Sequence, residues 1–279
     1  MPKFTQLRIE HGSGVITGIE QRGIGTPIVL LHGAGGNALW FEPLIAALGA
    51  RRVIALDMPG HGGSTAAPSW EMEPLAELIF SASRHLVTGR TMWGGHSWGG
   101  KVAAMIAAMH PDSADALLLL DPSPVSGIPV PPEMFVDVTF AGELGPWHSL
   151  EEATNSVRNL PQYANWNEAL QRAFERGTVR GTDGKLRACV SRETLIAICA
   201  AAGKDHSDIV RKVSCPTLLA VADESLGWQE AINFAVFPHA ARSVIRSNHW
   251  LISGNRTELN RAVETWLATG NEDHAREAT

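Results

Sequence analysis

Ser97 lies at the centre of Gly95-His96-Ser97-Trp98-Gly99, a segment that fits the pattern G-x-S-x-G. In that pattern the serine sits on a strained turn between a strand and a helix, with its hydroxyl pushed out beyond the edge of a sheet. Side chains two residues before and after it would collide where the chain crosses itself, so both positions are glycine. The segment predicts a serine nucleophile. The alternative is a tight turn that only happens to hold a serine.

His249 is the predicted general base for this nucleophile. It follows the strand-like run Arg242–Ile245 by a short loop. Imidazole titrates near neutrality, so it can take a proton from a serine hydroxyl and return it to a leaving group. The chain has 11 histidines, so position rather than residue type favours His249. His96, beside the nucleophile, is predicted to pack within the turn.

The same segment also fits a phosphate-binding loop. Residues 95–101 match G-x-x-x-x-G-K with Lys101 as the lysine, but the next residue is Val102, where that loop needs a hydroxyl to bind Mg²⁺. No clear acidic metal partner accompanies the segment. We therefore prefer the nucleophile interpretation to nucleotide binding.

Short strand-like runs alternate with longer helical ones, which is typical of a parallel sheet covered on both faces. Strands are predicted at Gln6–Glu10, Gly14–Glu20, Pro27–Leu31, Val53–Asp57, Thr91–Gly94, Ala116–Asp121, Thr217–Ala222 and Arg242–Ile245. Helices are predicted from Asn37 to about Leu48, over about Glu73–Leu86, over Ser97–His110, from about Trp228, and over about Thr257–Leu267. The sequence predicts an α/β fold with a mostly parallel, eight-stranded, doubly wound sheet.

The alternation stops after residue 124. From there to about His206 the chain is richer in tryptophan, proline and helical segments, with no strong strand. We predict that residues 125–206 form an inserted helical cap, and that residues 1–124 and 207–279 form the core.

Four segments fall in the order and spacing of the α/β-hydrolase superfamily, which the sequence resembles over nearly the whole chain outside the predicted cap. They are His32-Gly33-Ala34-Gly35-Gly36, Asp57 to Ser64, the Ser97 turn, and Asn248-His249-Trp250. The resemblance implies an oxyanion hole made by the backbone N–H groups of Ala34 and Trp98, which would stabilise a tetrahedral intermediate. A purely structural glycine loop is the alternative. The second segment is interpreted as a structural turn anchored by Asp57.

The acid that would orient His249 has two candidate positions. In most of the superfamily it follows the next-to-last strand, usually three residues after a glycine. If Ala222 occupies the position of that glycine, Ser225 occupies the position of the acid, so this sequence departs from the superfamily's pattern there. Asp223 or Glu224 could serve through a shifted loop.

Asp121 is the other candidate acid. It ends the strand after the Ser97 helix, and its separation from Ser97 resembles that in superfamily branches whose acid sits on this strand. The alternative is that Asp121-Pro122 only ends the strand and begins a loop. We prefer Asp121 and keep Asp223 as the second choice, since either carboxylate would hold one tautomer of His249 and stabilise its imidazolium form.

Composition disfavours several other classes of protein. The net charge is -6 and no basic stripe stands out, which argues against a nucleic-acid partner. The longest apolar stretches, such as Val102–Met109 and Leu195–Ala202, fall short of the ~18 residues that cross a bilayer. Lys3, Arg8 and Glu10 lie where a secretory signal needs an apolar run. We expect a cytoplasmic protein, with no membrane partner, whose three cysteines are reduced.

A small, largely apolar molecule is the expected substrate. Trp40, Trp147 and Trp166 lie near a motif or in the predicted cap, where tryptophan would offer broad apolar contact. Core packing is the alternative for each. No metal-binding, flavin or nicotinamide pattern is present, so neither a cofactor nor a metal is expected.

Three functions remain. The first is hydrolysis of an ester, a thioester or a lactone through an acyl-enzyme on Ser97, with His249 as base. The second is cofactor-free cleavage of a carbon–carbon bond on the same scaffold. The third is a ligand-binding pseudo-hydrolase, motivated by the broken acid pattern and opposed by the retention of Ser97 and His249.

Overall fold

Eight strands form one sheet in the computed structural model, which describes residues 4–127 and 130–276. Along the chain they are β1 (Thr5–His11), β2 (Gly14–Gln21), β3 (Ile24–Leu31), β4 (Arg51–Leu56), β5 (Thr91–His96), β6 (Ala114–Leu120), β9 (Thr217–Ala222) and β10 (Ala241–Ile245). Their order across the sheet is β1-β2-β4-β3-β5-β6-β9-β10. Within this sheet β2 pairs antiparallel with β1 and β4, whereas β4, β3, β5, β6, β9 and β10 pair in parallel. The predicted fold class is confirmed.

Helices cover both faces of this sheet. In chain order the helices of the described residues are α1 (Glu42–Ala47), α2 (Met72–Ser83), α3 (Trp98–Met109), α4 (Pro132–Thr139), α5 (Leu150–Val157), α6 (Glu168–Arg176), α7 (Arg192–Ala202), α8 (Ser207–Val210), α9 (Leu226–Ala231), α10 (Asn233–Val236) and α11 (Arg256–Arg276). Alternate side chains of a strand point to opposite faces. Accordingly, Val29 and Leu31 of β3 pack with α2 and α3, whereas Ile28 and Leu30 pack with α1 and α11.

Two predicted helices differ in detail from the observed ones. The segment after Asn37 begins as a 3₁₀ turn over Ala38–Phe41, whose first turn the Asn37 side chain caps by accepting from the Leu39 N–H. The helix predicted from Trp228 begins earlier and is divided into α9 and α10, with Ile232 between them at φ -115° and ψ -70°.

Residues 125–206, called the insert below, connect β6 to β9. The described part of the insert holds α4 to α7 and a hairpin of β7 (Thr178–Arg180) and β8 (Leu186–Ala188), while residues 128 and 129 lie outside the described residues. Arg172 on α6 reaches Glu42 on α1 at 2.6 Å. Arg176, also on α6, pairs with the buried Asp57 that follows β4. The division of the chain into core and cap remains a prediction.

Asp57 anchors its loop, as the sequence predicts. Its carboxylate accepts hydrogen bonds from the Thr17 hydroxyl and the Ala38 N–H as well as from Arg176. Burial alone would raise the pKa of this carboxyl, but the Arg176 guanidinium and the Thr17 hydroxyl outweigh it and lower that pKa. Asp57 is thus a structural residue that also fixes the insert to the core.

Candidate active site

Ser97 occupies a strained turn between β5 and α3. Its backbone has φ 52° and ψ -120°, a conformation that an L-residue adopts only under constraint. A Cβ atom added to Gly95 would lie 2.4 Å from the Gly99 carbonyl carbon, and one added to Gly99 would lie 2.2 Å from the Leu31 oxygen. Both glycines are therefore required by close approach of the backbone, which is the steric reason inferred from the sequence.

His249 lies between Ser97 and Asp121. Its Nε2 atom is 2.9 Å from the Ser97 Oγ atom, and its Nδ1 atom is 2.6 Å from the Asp121 Oδ2 atom. A neutral imidazole that donates from Nδ1 to a carboxylate presents the lone pair of Nε2 to the serine hydroxyl. The structure thus brings three of the predicted residues into the relay order Ser–His–Asp.

The Asp121 carboxylate is fully buried and surrounded by donors. Besides His249, it accepts hydrogen bonds from the Ala222 N–H at 3.1 Å, the Gln229 amide at 3.0 Å and the Ser225 hydroxyl at 2.7 Å. An ionised carboxylate only accepts, so this set of partners satisfies it. The carboxylate is held firmly in one orientation toward His249.

Asp223, the alternative acid, is placed elsewhere. The chain after β9 winds into a 3₁₀ turn over Asp223–Ser225, which leaves Asp223 exposed. Its Oδ1 atom accepts from the Ser247 N–H at 2.9 Å, and the His249 ring pairs with Asp121. Ser225, which holds the acid's usual position, donates to Asp121 instead. The structure therefore favours Asp121 over Asp223.

Sequence reasoning missed the side chains that support Asp121. Ser225, Gln229 and Asn233 recur every fourth residue and face the loop after β6. Gln229 also donates to the Pro122 carbonyl at 3.1 Å, and the Asn233 oxygen accepts from the Val125 N–H at 3.1 Å. The four-residue spacing of uncharged polar residues was the available signal, because in a continuous helix it would place them on one face. In the structure they lie on the 3₁₀ turn, on α9 and on α10.

Lys101, the lysine of the phosphate-binding pattern, is buried and hydrogen-bonded within the protein. Its ammonium donates to the carbonyls of Pro124 at 2.9 Å, Ala202 at 2.7 Å and Lys204 at 3.0 Å. Burial lowers the pKa of this ammonium group. The contacts join α3 to the loop after β6 and to the end of α7.

The two predicted oxyanion donors lie beside Ser97. Trp98 opens α3, and the Ala34 loop is so close that a Cβ atom on Gly33 would lie 3.2 Å from the Ser97 Cβ atom. Among the hydrogen bonds of the described residues, neither the Ala34 nor the Trp98 N–H has an acceptor. Both donors are therefore available to an oxygen that develops charge near Ser97.

Buried histidines hold the Ala34 loop. The His61 Nε2 atom accepts from the Gly35 N–H at 3.0 Å, and the His32 Nε2 atom accepts from the Met58 N–H at 2.8 Å. An accepting nitrogen carries no proton, so both rings are neutral. Burial lowers the pKa of His32 to about 3 and that of His61 to about 4. His96, as predicted, packs in the turn, with its Nε2 atom 2.8 Å from the His249 carbonyl.

A cavity of about 470 Å³ opens above Ser97 and His249, and both line it. Its walls are mainly apolar and come from the core and the insert. They include Trp40, Trp228, Trp250 and Ile252 from the core, and Phe135, Phe140, Glu143 and Gln162 from the insert. Trp40 thus lies where a substrate-contacting residue was predicted.

Trp147 and Trp166 do not line the cavity, so their prediction as substrate contacts is corrected. Both pack in an apolar cluster with Tyr163 and Phe174. Their rings lie 5.9 Å and 6.0 Å from the Phe174 ring, in edge-to-face geometry. Residue type and position in the chain do not show which way a side chain points, and these two tryptophans pack in this cluster instead.

The buried histidines predict acid sensitivity. In the unfolded chain His32, His61 and His96 take up protons near pH 6.5, whereas burial in the folded chain lowers their pKa values to about 3, about 4 and about 3. The unfolded state binds more protons in this window, so the free energy of unfolding falls as the pH drops. Glu143 acts oppositely, because burial raises its pKa from 4.5 to about 7.

Between pH 7 and pH 5 the three histidines lower the free energy of unfolding by more than Glu143 raises it. We expect the free energy of unfolding, measured by urea denaturation with tryptophan fluorescence, to be about 3 kcal/mol lower near pH 5 than near pH 7. Equal or greater stability near pH 5 would show that these imidazoles are not held neutral in the folded protein.

Metal-binding clusters and membrane-spanning helices are both absent from the described residues. No group of three or more His, Cys, Asp and Glu side chains there is arranged to hold a metal ion. No described helix combines the length and the apolar composition needed to span a bilayer.

The sheet order and the strand–serine–helix turn define one class of fold. A family model described as alpha/beta hydrolase fold matches residues 26–186, more than half of the chain. The chain belongs to the α/β-hydrolase fold family, as its motifs indicated.

Individual relatives match over shorter stretches. The chain is 41% identical over 100 residues to the dihydrolipoyllysine-residue acetyltransferase component of the acetoin cleaving system of Pseudomonas putida, covering 34% of this chain and 26% of that protein. It is 33% identical over 114 residues to an esterase of Mycobacterium tuberculosis, covering 40% and 38%. These matches span only about a quarter to two fifths of the relatives' length.

Solved structures match over the whole fold. The crystal structure of E-2-(acetamidomethylene)succinate hydrolase superposes with a TM-score of 0.82 over 95% of this chain and 100% of that one, at 21% sequence identity. Similarity at this level of identity shows the fold.

Proposed function

We propose that this protein is a serine hydrolase that cleaves an ester, or a related thioester or lactone, of a small and largely apolar substrate. One observation carries the proposal. His249 is within hydrogen-bonding distance of Ser97 on one ring nitrogen and of the buried Asp121 on the other. The esterase among the relatives and the family membership support the same class of reaction.

The proposed reaction begins with proton transfer from the Ser97 hydroxyl to the His249 Nε2 atom as the oxygen attacks the carbonyl carbon. The carbonyl oxygen becomes an anion and is stabilised by the N–H groups of Ala34 and Trp98. The imidazolium, stabilised by Asp121, then protonates the leaving alkoxide, and the bond between the carbonyl carbon and that oxygen breaks.

The resulting acyl-enzyme is released by water. His249 takes a proton from the water as it attacks the acyl carbon, and then returns that proton to Ser97 when the acid departs. The insert acts as the cap in this proposal, because Phe135 and Phe140 complete an apolar wall over Ser97. Such a wall excludes bulk water and selects apolar groups.

The ligand-binding alternative was motivated by the missing acid after β9. Asp121 supplies a carboxylate to His249 from the end of β6 instead. The missing acid after β9 is therefore no longer a reason to prefer a ligand-binding protein over an enzyme, and the hydrolase proposal is the better supported of the two.

Covalent labelling by a fluorophosphonate tests the proposal. We expect the reagent to modify Ser97 in the folded protein, with the site located by peptide mass spectrometry, because an activated serine attacks phosphorus as it attacks an ester. Ser97→Ala should abolish labelling. Ser123→Ala is the matched control, since the Ser123 hydroxyl lies 3.4 Å from that of Ser97 and makes no hydrogen bond to His249. Absence of label on native Ser97 would refute the proposed mechanism.

A further inference from the structure

Glu143 is a buried acid in the wall of the substrate cavity. It lies on the insert between α4 and α5, is 9% exposed and lines the cavity that Ser97 and His249 face. No other Asp or Glu and no Lys or Arg is among the residues that line this cavity in the described chain. The cavity therefore carries one acidic group in an otherwise uncharged and mainly apolar wall.

The partners of this carboxyl group are neutral. The Gln162 amide donates to Glu143, and the uncharged Tyr163 side chain lies next to it. Within the described residues, no ion pair includes Glu143. A buried carboxylate without a counter-charge is costly, and burial raises the pKa of Glu143 to about 7. The chain thus supplies hydrogen bonds to this acid but no cation.

No histidine of the cavity fills that role. His32 and His96 face it as neutral rings whose pKa values burial lowers to about 3. His249 also faces it, but its two ring nitrogens are engaged by Ser97 and Asp121. A cation that pairs with Glu143 must therefore arrive with the ligand.

We propose that the cavity takes an ester whose acyl or alcohol part carries a protonated amine, with the ammonium group bound by Glu143. The ester part of this statement rests on the proposed function, whereas binding of the amine does not. Trp40 and Phe140 lie in the same wall and also border a small side cavity that Glu143 lines. Aromatic faces stabilise an ammonium ion and the methylene groups next to it.

Binding of simple amines tests the inference without catalysis. Titration calorimetry near pH 8, above the pKa of Glu143, compares hexylammonium chloride with the neutral alcohol hexanol. We expect native protein to bind the ammonium ion about ten- to a hundredfold more tightly than the alcohol, the range for hydrogen bonds to charged groups. Glu143→Gln should remove this preference. Glu133→Gln, which removes an exposed acid of α4, is the matched control and should keep it.

The pH dependence of amine binding by the native protein is a second test of the inference. Lowering the pH from about 8 to about 6 protonates Glu143, so the affinity for hexylammonium should fall several-fold while that for hexanol stays constant. The profile of Glu143→Gln over the same pH range measures the contribution of the other groups that face the cavity. Equal binding of amine and alcohol by native protein, or a preference that survives Glu143→Gln, would overturn the inference.

Turnover connects the inference to the proposed reaction. The p-nitrophenyl esters of aminohexanoate and aminooctanoate, with terminal amines, are compared with those of heptanoate and nonanoate, which end in a methyl group at the same length. We expect the ratio of kcat/KM for amine over methyl esters to exceed about ten in native protein and to approach one in Glu143→Gln. Ser97-dependent hydrolysis with no amine preference would leave the hydrolase proposal standing and reject an amine-bearing acyl group. Selective amine binding without Ser97-dependent hydrolysis would reject the hydrolase proposal and leave the binding of an amine by Glu143 standing.

Discussion

Ser97→Ala is expected to lower kcat for a p-nitrophenyl ester by about 10⁶-fold, the scale seen when the nucleophile of a serine triad is removed. Without the hydroxyl no acyl-enzyme can form, and what remains is the contribution of the oxyanion donors and of substrate binding. Alanine keeps the Cβ atom, so the backbone of the turn at φ 52° gains no new strain. Steady-state kinetics together with a thermal melt separate loss of chemistry from loss of fold.

Ser123→Ala controls for this measurement. Ser123 also lines the cavity, and its hydroxyl lies 3.4 Å from that of Ser97. We expect its kcat to stay within about tenfold of the native value, because it holds no proton that the reaction transfers. If Ser97→Ala retained activity within tenfold of native, the nucleophile would have to be another group and the acyl-enzyme route would be wrong.

The sheet could be predicted from the sequence because burial leaves a strong pattern. The central strands are apolar on both faces, as Val53 to Leu56 illustrate, so each appears as a short apolar run between helical segments. The Ser97 turn was predictable for a different reason. Gly95 and Gly99 are required by contacts of 2.4 Å or less that any Cβ atom would make, and such local constraints must appear as residue identity.

The sequence did not decide between Asp121 and Asp223 as the acid that orients His249, because β6 and β9 are neighbours in the sheet. Their carboxyl ends lie at one edge, so a carboxylate following either strand could reach a histidine there. The choice depends on how the chain leaves each strand. Asp121 has φ 43° and is buried, whereas the 3₁₀ turn carries Asp223 outward. Neither conformation is dictated by a local sequence signal.

Contacts within the insert were least predictable. Trp147 and Trp166 look like cavity residues from their type and position, yet they pack against Phe174. Glu143 gave no signal either, since an acidic residue is usually exposed. These three residues lie in turns and loops between short helices, and no local pattern in the sequence indicates which way their side chains point.

Asp121→Asn is the second substitution for which a large effect is expected. All four partners of the carboxylate donate to it: His249 and Ser225 to the Oδ2 atom, Ala222 and Gln229 to the Oδ1 atom. Asparagine offers one oxygen and one NH₂ group, so a donor must face donors on one side. If the NH₂ group faces His249, the imidazole is forced into the tautomer that carries its proton on Nε2 and can no longer accept from Ser97.

We therefore expect Asp121→Asn to lower kcat by about 10⁴-fold, the loss observed when the tautomer of a triad histidine is wrong. Asp223→Asn is the matched control: the same change on an exposed carboxylate that accepts from the Ser247 N–H should alter kcat less than about tenfold. Both variants are assayed with one ester at several pH values. A larger loss in Asp223→Asn would mean that the loop after β9 rearranges on substrate binding and that Asp223, not Asp121, orients His249 during turnover.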